Sequence, residues 1–258
     1  MPPIIRPQPP HKPNHPNPLL RLQINDLSSP GAQRFLNNIP AGSILQSAVT
    51  HVLSLLYPTS TSWLPTRSVT LILESLHGVA YTTGMSLDND HKEIHLSTDY
   101  IASIAPERIA DEITGVVVHE MVHCWQHNGR GTCPGGLIEG IADWVRLRAE
   151  YAPPHWKQVA EGEWDQGYQV TGYFLQWLEE KRGKGSVSKI NEALRETEYQ
   201  EEDFWTDLFG KKVGALWEEY AEYLRKKESR GTEQEQPIVE NTIDEVAELN
   251  IAGDGAGA

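Results

Sequence analysis

Cysteine, long apolar runs and basic charge are all scarce in this sequence, and each shortage removes a class of function. Cys124 and Cys133 are the two cysteines among 258 residues. That is too few for a disulfide framework, and two reduced thiols are expected. No apolar stretch approaches the roughly 18 residues of a membrane-spanning helix. The opening Met1-Pro2-Pro3-Ile4-Ile5-Arg6-Pro7 lacks the apolar centre of a signal peptide, so cytoplasmic residence is the expectation. Lysine and arginine total 22 against 36 aspartates and glutamates, a net charge of −14. The basic stripe of a nucleic-acid binder is missing, and neither nucleic acid nor membrane is expected as a partner. There is also no phosphate-cradling glycine loop, no G-x-S-x-G turn and no internal repeat.

Composition divides the chain into three. Residues 1–18 carry eight of the 17 prolines and read as a disordered, extended arm. Residues 228–258 hold eight carboxylates against Arg230 alone, so half of the net charge of −14 sits in a tail. Disorder is expected there, with Ile238 to Leu249 the one stretch able to form a short helix on a partner. Residues 19–227 remain for one domain, and 39% apolar content with eight tryptophans supplies a core.

Within that domain lies Val116-Val117-Val118-His119-Glu120-Met121-Val122-His123. Histidines four apart on a helix lie on one face, so His119 and His123 can reach one metal ion. Glu120, one position on, can address a water there instead of the metal. For this composition H-E-x-x-H is expected by chance about 0.04 times per chain. A catalytic zinc usually takes a third protein ligand. Downstream, Glu139 and Asp143 sit at i and i+4 in Gly135-Gly136-Leu137-Ile138-Glu139-Gly140-Ile141-Ala142-Asp143-Trp144-Val145-Arg146. The expected set is therefore His119, His123 and Glu139 as ligands, Glu120 as general base, and Asp143 holding a ligating imidazole by its other nitrogen. Zn2+ is the expected ion from ligand type, although imidazole and carboxylate accept other divalent ions. Gly140 would let two helices approach closely.

Competing ligands fare worse. His127 continues the spacing but lies about 12 Å along the helix from His119. The extended motif H-E-x-x-H-x-x-G-x-x-H would need Gly and His where Gln126 and Gly129 stand. Cys124 points about 100° away around the helix and reads as a half-buried packing residue. His91 and His95 read as loop or surface histidines, and His51 as packing or surface.

The two motif segments, H-E-M-V-H-C-W-Q and G-G-L-I-E-G-I-A-D-W-V-R, resemble the plant basic secretory protein family, the zincin-like peptidases of plants and bacteria. Weaker similarity continues through Val69-Thr70-Leu71-Ile72-Leu73, Gly78-Val79-Ala80-Tyr81-Thr82, Ile94-His95-Leu96-Ser97 and Gly167-Tyr168-Gln169-Val170-Thr171-Gly172-Tyr173-Phe174-Leu175, covering residues 20 to 225. The chain departs from the family's name in being acidic and in showing no secretion signal. The resemblance implies a Glu-zincin metallopeptidase acting on a peptide or protein substrate. It also makes Gly78 to Thr82 the sheet edge that pairs with substrate. A zincin needs a donor for the oxyanion; Tyr168, entering a helix, is the first candidate and Tyr173 the second.

The expected class is α+β, a zincin-like fold with a small mixed sheet packed on an active-site helix and a helical C-terminal part. Strands are expected at Leu19 to Ile24, Ser68 to Glu74, Gly78 to Thr83 and Glu93 to Ser97, the last two around a polar loop from Met85 to Lys92. Helices are expected from Gly31 to Tyr57 with a break at Pro40, and from Pro106 to Asn128. A second helix is expected after the turn-rich connection Gly129 to Gly136, running to about Tyr151; another is entered through Trp164 to Tyr168 and runs to Arg182, and two stretches lie within 187–227. Arg146, on the Asp143 face, is expected to pair with it. Two rival readings keep the metal site: a zincin-fold enzyme acting on a small molecule, and a non-catalytic defence or binding protein.

Overall fold

The computed structural model describes residues 16–59 and 62–234, so most of the proline-rich arm and the tail with its Ile238 to Leu249 stretch lie outside the described residues. Four strands form one mixed sheet in the order β1-β2-β4-β3. β1 (Leu19–Ile24), β2 (Ser68–Glu74) and β4 (Asp88–Ser97) run parallel, and β3 (Ala80–Met85) closes one edge antiparallel to β4. Period-two alternation explains the inner face: Val69, Leu71 and Leu73 of β2 and Ile94 and Leu96 of β4 are fully buried. β3 follows the same rule, and its register places Ala80 and Thr82 opposite Leu96 and Ile94. The expected loop from Met85 to Lys92 is mostly strand, because β4 begins at Asp88 and leaves a two-residue turn. Its first half is only half-buried or exposed, so no apolar alternation marks it.

Two helices precede β2. α1 (Pro30–Asn38) starts with Pro30 in its first turn and the Ser29 hydroxyl capping Ala32 N, and α2 (Ala41–Leu56) starts after the break at Pro40. Ile44, Leu45, Ala48, Val52 and Leu56 are buried along α2 as the stripe requires. α3 (Thr98–Ser103) follows the sheet, capped by the Ser97 hydroxyl. α4 (Ile109–His123) then packs against β3, β4 and α2.

α4 stops at His123, five residues short of the expected Asn128. The cause is tertiary. The carbonyl of Cys124 accepts from Thr66 Oγ1 at 2.7 Å, that of Trp125 accepts from the Tyr57 hydroxyl, and the amide of His127 donates to Asn191 Oδ1 at 3.0 Å. Groups orphaned at the helix end are thus satisfied from outside it, and the chain turns away.

α5 (Gly135–Arg148) returns beside α4. The side-chain pairs His123–Glu139, His119–Asp143 and Glu112–Arg146 step in opposite senses along the two helices, which are therefore antiparallel. α6 (Tyr168–Arg182) lies against α5 so closely that a Cβ on Gly140 would stand 2.3 Å from Thr171 Cγ2. α7 (Ser186–Ala193), α8 (Glu201–Phe209) and α9 (Val213–Gln234) complete the described chain. They are three helices where two were expected, because Gly210, at φ +71°, ends α8. α9 also runs past residue 227, where the domain was expected to end. Trp164, Phe174, Trp177, Trp205 and Tyr220 form an aromatic core between α6, α8 and α9. The architecture is α+β and zincin-like. No single helix among the described residues is long and apolar enough to cross a membrane.

A Cβ on Gly136 would lie 1.6 Å from the carbonyl oxygen of Asp165. Gly136→Ala should therefore cost about 1–3 kcal/mol of stability in thermal or urea unfolding, as overpacking against backbone does. Gly135→Ala, with open space around its Cβ, should be neutral or slightly stabilising.

Candidate active site

One face of α4 supplies His119, Glu120 and His123, and the first turns of α5 supply Glu139. The ring centroids of the two histidines are 5.1 Å apart, with their planes at 79°. Ligand atoms of His119, His123 and Glu139 all lie within 4.8 Å of one another, so these three could hold a metal ion. His119 Nε2 is 3.1 Å from Glu139 Oε2, and His123 Nε2 is 3.8 Å from Glu139 Oε1. Both imidazoles thus turn the same nitrogen toward one carboxylate.

The other ring nitrogens are fixed from behind. Asp143 Oδ1 accepts from His119 Nδ1 at 2.6 Å. Gln126 Oε1 accepts from His123 Nδ1 at 3.0 Å, and Gln126 Nε2 is itself held by the carbonyl of Ile138 at 2.8 Å. Carboxylate and amide oxygens are acceptors, so each Nδ1 carries the proton and each Nε2 is left for a ligand role. Asp143 is 1% exposed, and its Oδ2 has no hydrogen-bond partner among the described residues. A buried carboxylate so placed fits a site completed by a cation. Burial opposes charge on His119, but the Asp143 and Glu139 bonds overcome it and raise its pKa to about 10. Burial and the neighbouring imidazole depress His123. The His119 bond holds the Glu139 carboxyl below its usual range.

Glu120 is anchored across the sheet–helix boundary. Thr82 Oγ1, on the inner face of β3, lies 2.7 Å from Glu120 Oε2 and 3.0 Å from the Glu120 carbonyl. Thr82 and Gln126 are positioning groups that sequence reasoning did not assign. Thr82 had been seen only as part of the edge strand, and Gln126 only as a departure from a longer motif.

The remaining candidates separate cleanly. Tyr168 opens α6 at the rim of the same cleft, 62% exposed, with φ +46°. Glu139 nearby raises its pKa, which keeps the phenol protonated and able to donate. Tyr173 packs edge-on against Trp156 at 6.5 Å and is not part of the cleft wall. His127 lies off the helix, its Nε2 3.2 Å from the Tyr57 hydroxyl. His91 and His95 are not loop residues: both sit on β4, with Nδ1 2.6 Å from Ser68 Oγ and from Glu74 Oε1 respectively. Cys124 is fully buried, and burial pushes its thiol pKa up. Arg146 does not pair with Asp143, which is committed to His119; it binds Glu112 at 2.8 Å.

His119, Glu120, His123, Glu139, Asp143, Arg146 and Tyr168 line a cleft of about 1120 Å³, walled by residues 78–82 at the start of β3, by α4 and α5, by the start of α6 and by the 153–156 segment. A family model described as peptidase of plants and bacteria (BSP) matches residues 17–220, which includes every residue of this site. The chain belongs to that family. This member of a peptidase family thus carries its His-His-Glu cluster inside the matched region. No curated protein and no solved structure matches it.

A metal ion held at this site would compete with the proton at His119. In the metal-free protein its raised pKa, about 10 against 6.5 for the free group, makes its bonds fully stabilising below pH 6.5, with that contribution lost as pH climbs through 10. Binding of a divalent ion at pH 7 should therefore release about one proton, and affinity should rise with pH. Titration calorimetry in buffers of different ionisation enthalpy checks this. Asp143→Asn should weaken metal binding about 10–100-fold.

Proposed function

We propose that the chain is a zinc-dependent peptidase in which Glu120 activates water at a site made by His119, His123 and Glu139. What supports this most is the joint placement of two imidazole Nε2 atoms and a carboxylate on one point, with the Glu120 carboxylate held separately by Thr82. A purely structural metal site has no use for Glu120. Two histidines and a glutamate are a donor set for catalytic zinc, leaving a position open. Zinc bound there supplies Lewis acidity, lowering the pKa of a water and polarising the scissile carbonyl.

The protein's own groups do the rest. Glu120 takes the proton of the attacking water and passes it to the leaving amine. Asp143 and Gln126 keep the two imidazoles in the tautomer that presents Nε2. Tyr168 donates its hydroxyl to the oxyanion that develops on the substrate. β3 pairs only with β4 among the described strands, so its other side is free to hold an extended peptide by backbone hydrogen bonds.

Protein purified without an affinity-tag metal should contain about one zinc per chain by plasma mass spectrometry, lost in His123→Ala. Glu120→Gln should keep the metal and lose about 10²–10⁴-fold in turnover of unstructured peptides. Metal retention with undiminished activity in that variant would sink the mechanism. Tyr168→Phe should lower kcat about 10²-fold with KM little changed, whereas a packing role would leave kcat intact.

A further inference from the structure

The cleft extends well beyond the ligand cluster. Glu112 precedes His119 by seven residues on α4, and Arg146 follows Glu139 by seven on α5. At 1.5 Å per residue the far end of the cleft lies about 10 Å from the ligands. There the side chain of Arg146 is 8% exposed. Its Nε donates to the carbonyl of Tyr151 at 3.0 Å and its Nη2 to Glu112 Oε1 at 2.8 Å. The Trp156 ring lies over the guanidinium, 5.4 Å from its carbon. Nη1 has no protein acceptor among the described residues. It is not among the sealed polar atoms either, and Arg146 lines the cleft.

The acids around it are already engaged. Glu112 accepts from Arg146, from the Tyr100 hydroxyl at 3.0 Å, and has Arg108 at 3.7 Å. Asp143 is bound to His119, and Asp111, largely exposed, faces Arg108 at 3.1 Å. A buried, rigidly held guanidinium whose Nη1 is uncommitted suits a carboxylate, which accepts a charge-assisted hydrogen bond from it.

We propose that Arg146 is the specificity-determining group of the cleft, binding a carboxylate of the peptide about two to three residues from the bond that is cut. This rests on the peptidase reading above and narrows its substrate class to peptides that place an anion there. An extended residue spans about 3.3–3.6 Å, which sets the count. The carboxylate is that of an aspartate or glutamate side chain, or the free C-terminus of a short leaving fragment.

The test uses the full-length, zinc-loaded chain. A mixture of unstructured synthetic peptides is digested and the cut bonds are read by mass spectrometry. Matched pairs are then made around one cut bond: Glu against Gln at the second and third positions on either side, and C-terminal acid against amide. Loss of one carboxylate should lower kcat/KM by about tenfold or more, the scale of a charge-assisted hydrogen bond. The side-chain and terminal arms tell the two sources apart. Arg146→Gln should cut both members of the sensitive pair alike, at the rate of the uncharged one, with zinc content unchanged. Should that variant not fold, the wild-type pairs decide alone. Equal rates for every pair overturn the role of Arg146 while leaving the peptidase reading standing. Failure to cut any peptide overturns both.

Discussion

The bond between His119 Nδ1 and Asp143 Oδ1, 2.6 Å long and buried, joins α4 to α5. Withdrawing a carboxylate from water is costly, and a buried charge is tolerated when paired and covered by groups that cannot rearrange. The surroundings meet that demand. α6 lies directly over Asp143, so close that a Cβ on Gly172 would be in van der Waals contact with Asp143 Cβ at 3.4 Å. Glu139, one turn before Asp143, is thereby set opposite the two imidazoles. That hydrogen bond ties α4 to α5 and fixes the tautomer of His119, as Gln126 fixes that of His123.

The ligand cluster was legible in the sequence because it depends on local periodicity. His119 with His123, and Glu139 with Asp143, are each one turn apart on their own helix, and helical repeat alone aligns them. The sheet order was not legible, nor were the groups behind the cluster. Thr82 reaches Glu120 across 38 residues, and Gln126 earns its role only because the chain leaves the helix at His123. That exit is dictated by Thr66, Tyr57 and Asn191, residues with no sequence proximity to the helix end. Arg146 was read as a partner for Asp143 from shared helical face. The nearer acid in space came from a different helix. Periodicity specifies faces; it does not specify what the faces meet.

The chain's acidity sits oddly with a family named for basic proteins, and its distribution accounts for half of this, the rest of the chain being acidic too. Half of the net charge of −14 falls after residue 227, outside the matched residues 17–220. Within the cleft, charge is also unevenly placed. Glu120, Glu139 and Asp143 gather around the histidines, while the Glu112–Arg146 pair occupies the other end. The two ends of the cleft thus differ in chemistry: the His-His-Glu cluster with Glu120 and Asp143 at one, an ion-paired guanidinium at the other.

Thr82 belongs to the edge strand by its backbone and to Glu120 by its hydroxyl. A chain added to that edge would flatten and stiffen β3, because each new backbone bond removes freedom from the strand that makes it. The stiffening would pass through a single side chain to the carboxylate. On the proposed mechanism, occupancy of that edge would be coupled through Thr82 to the aim of the Glu120 carboxylate.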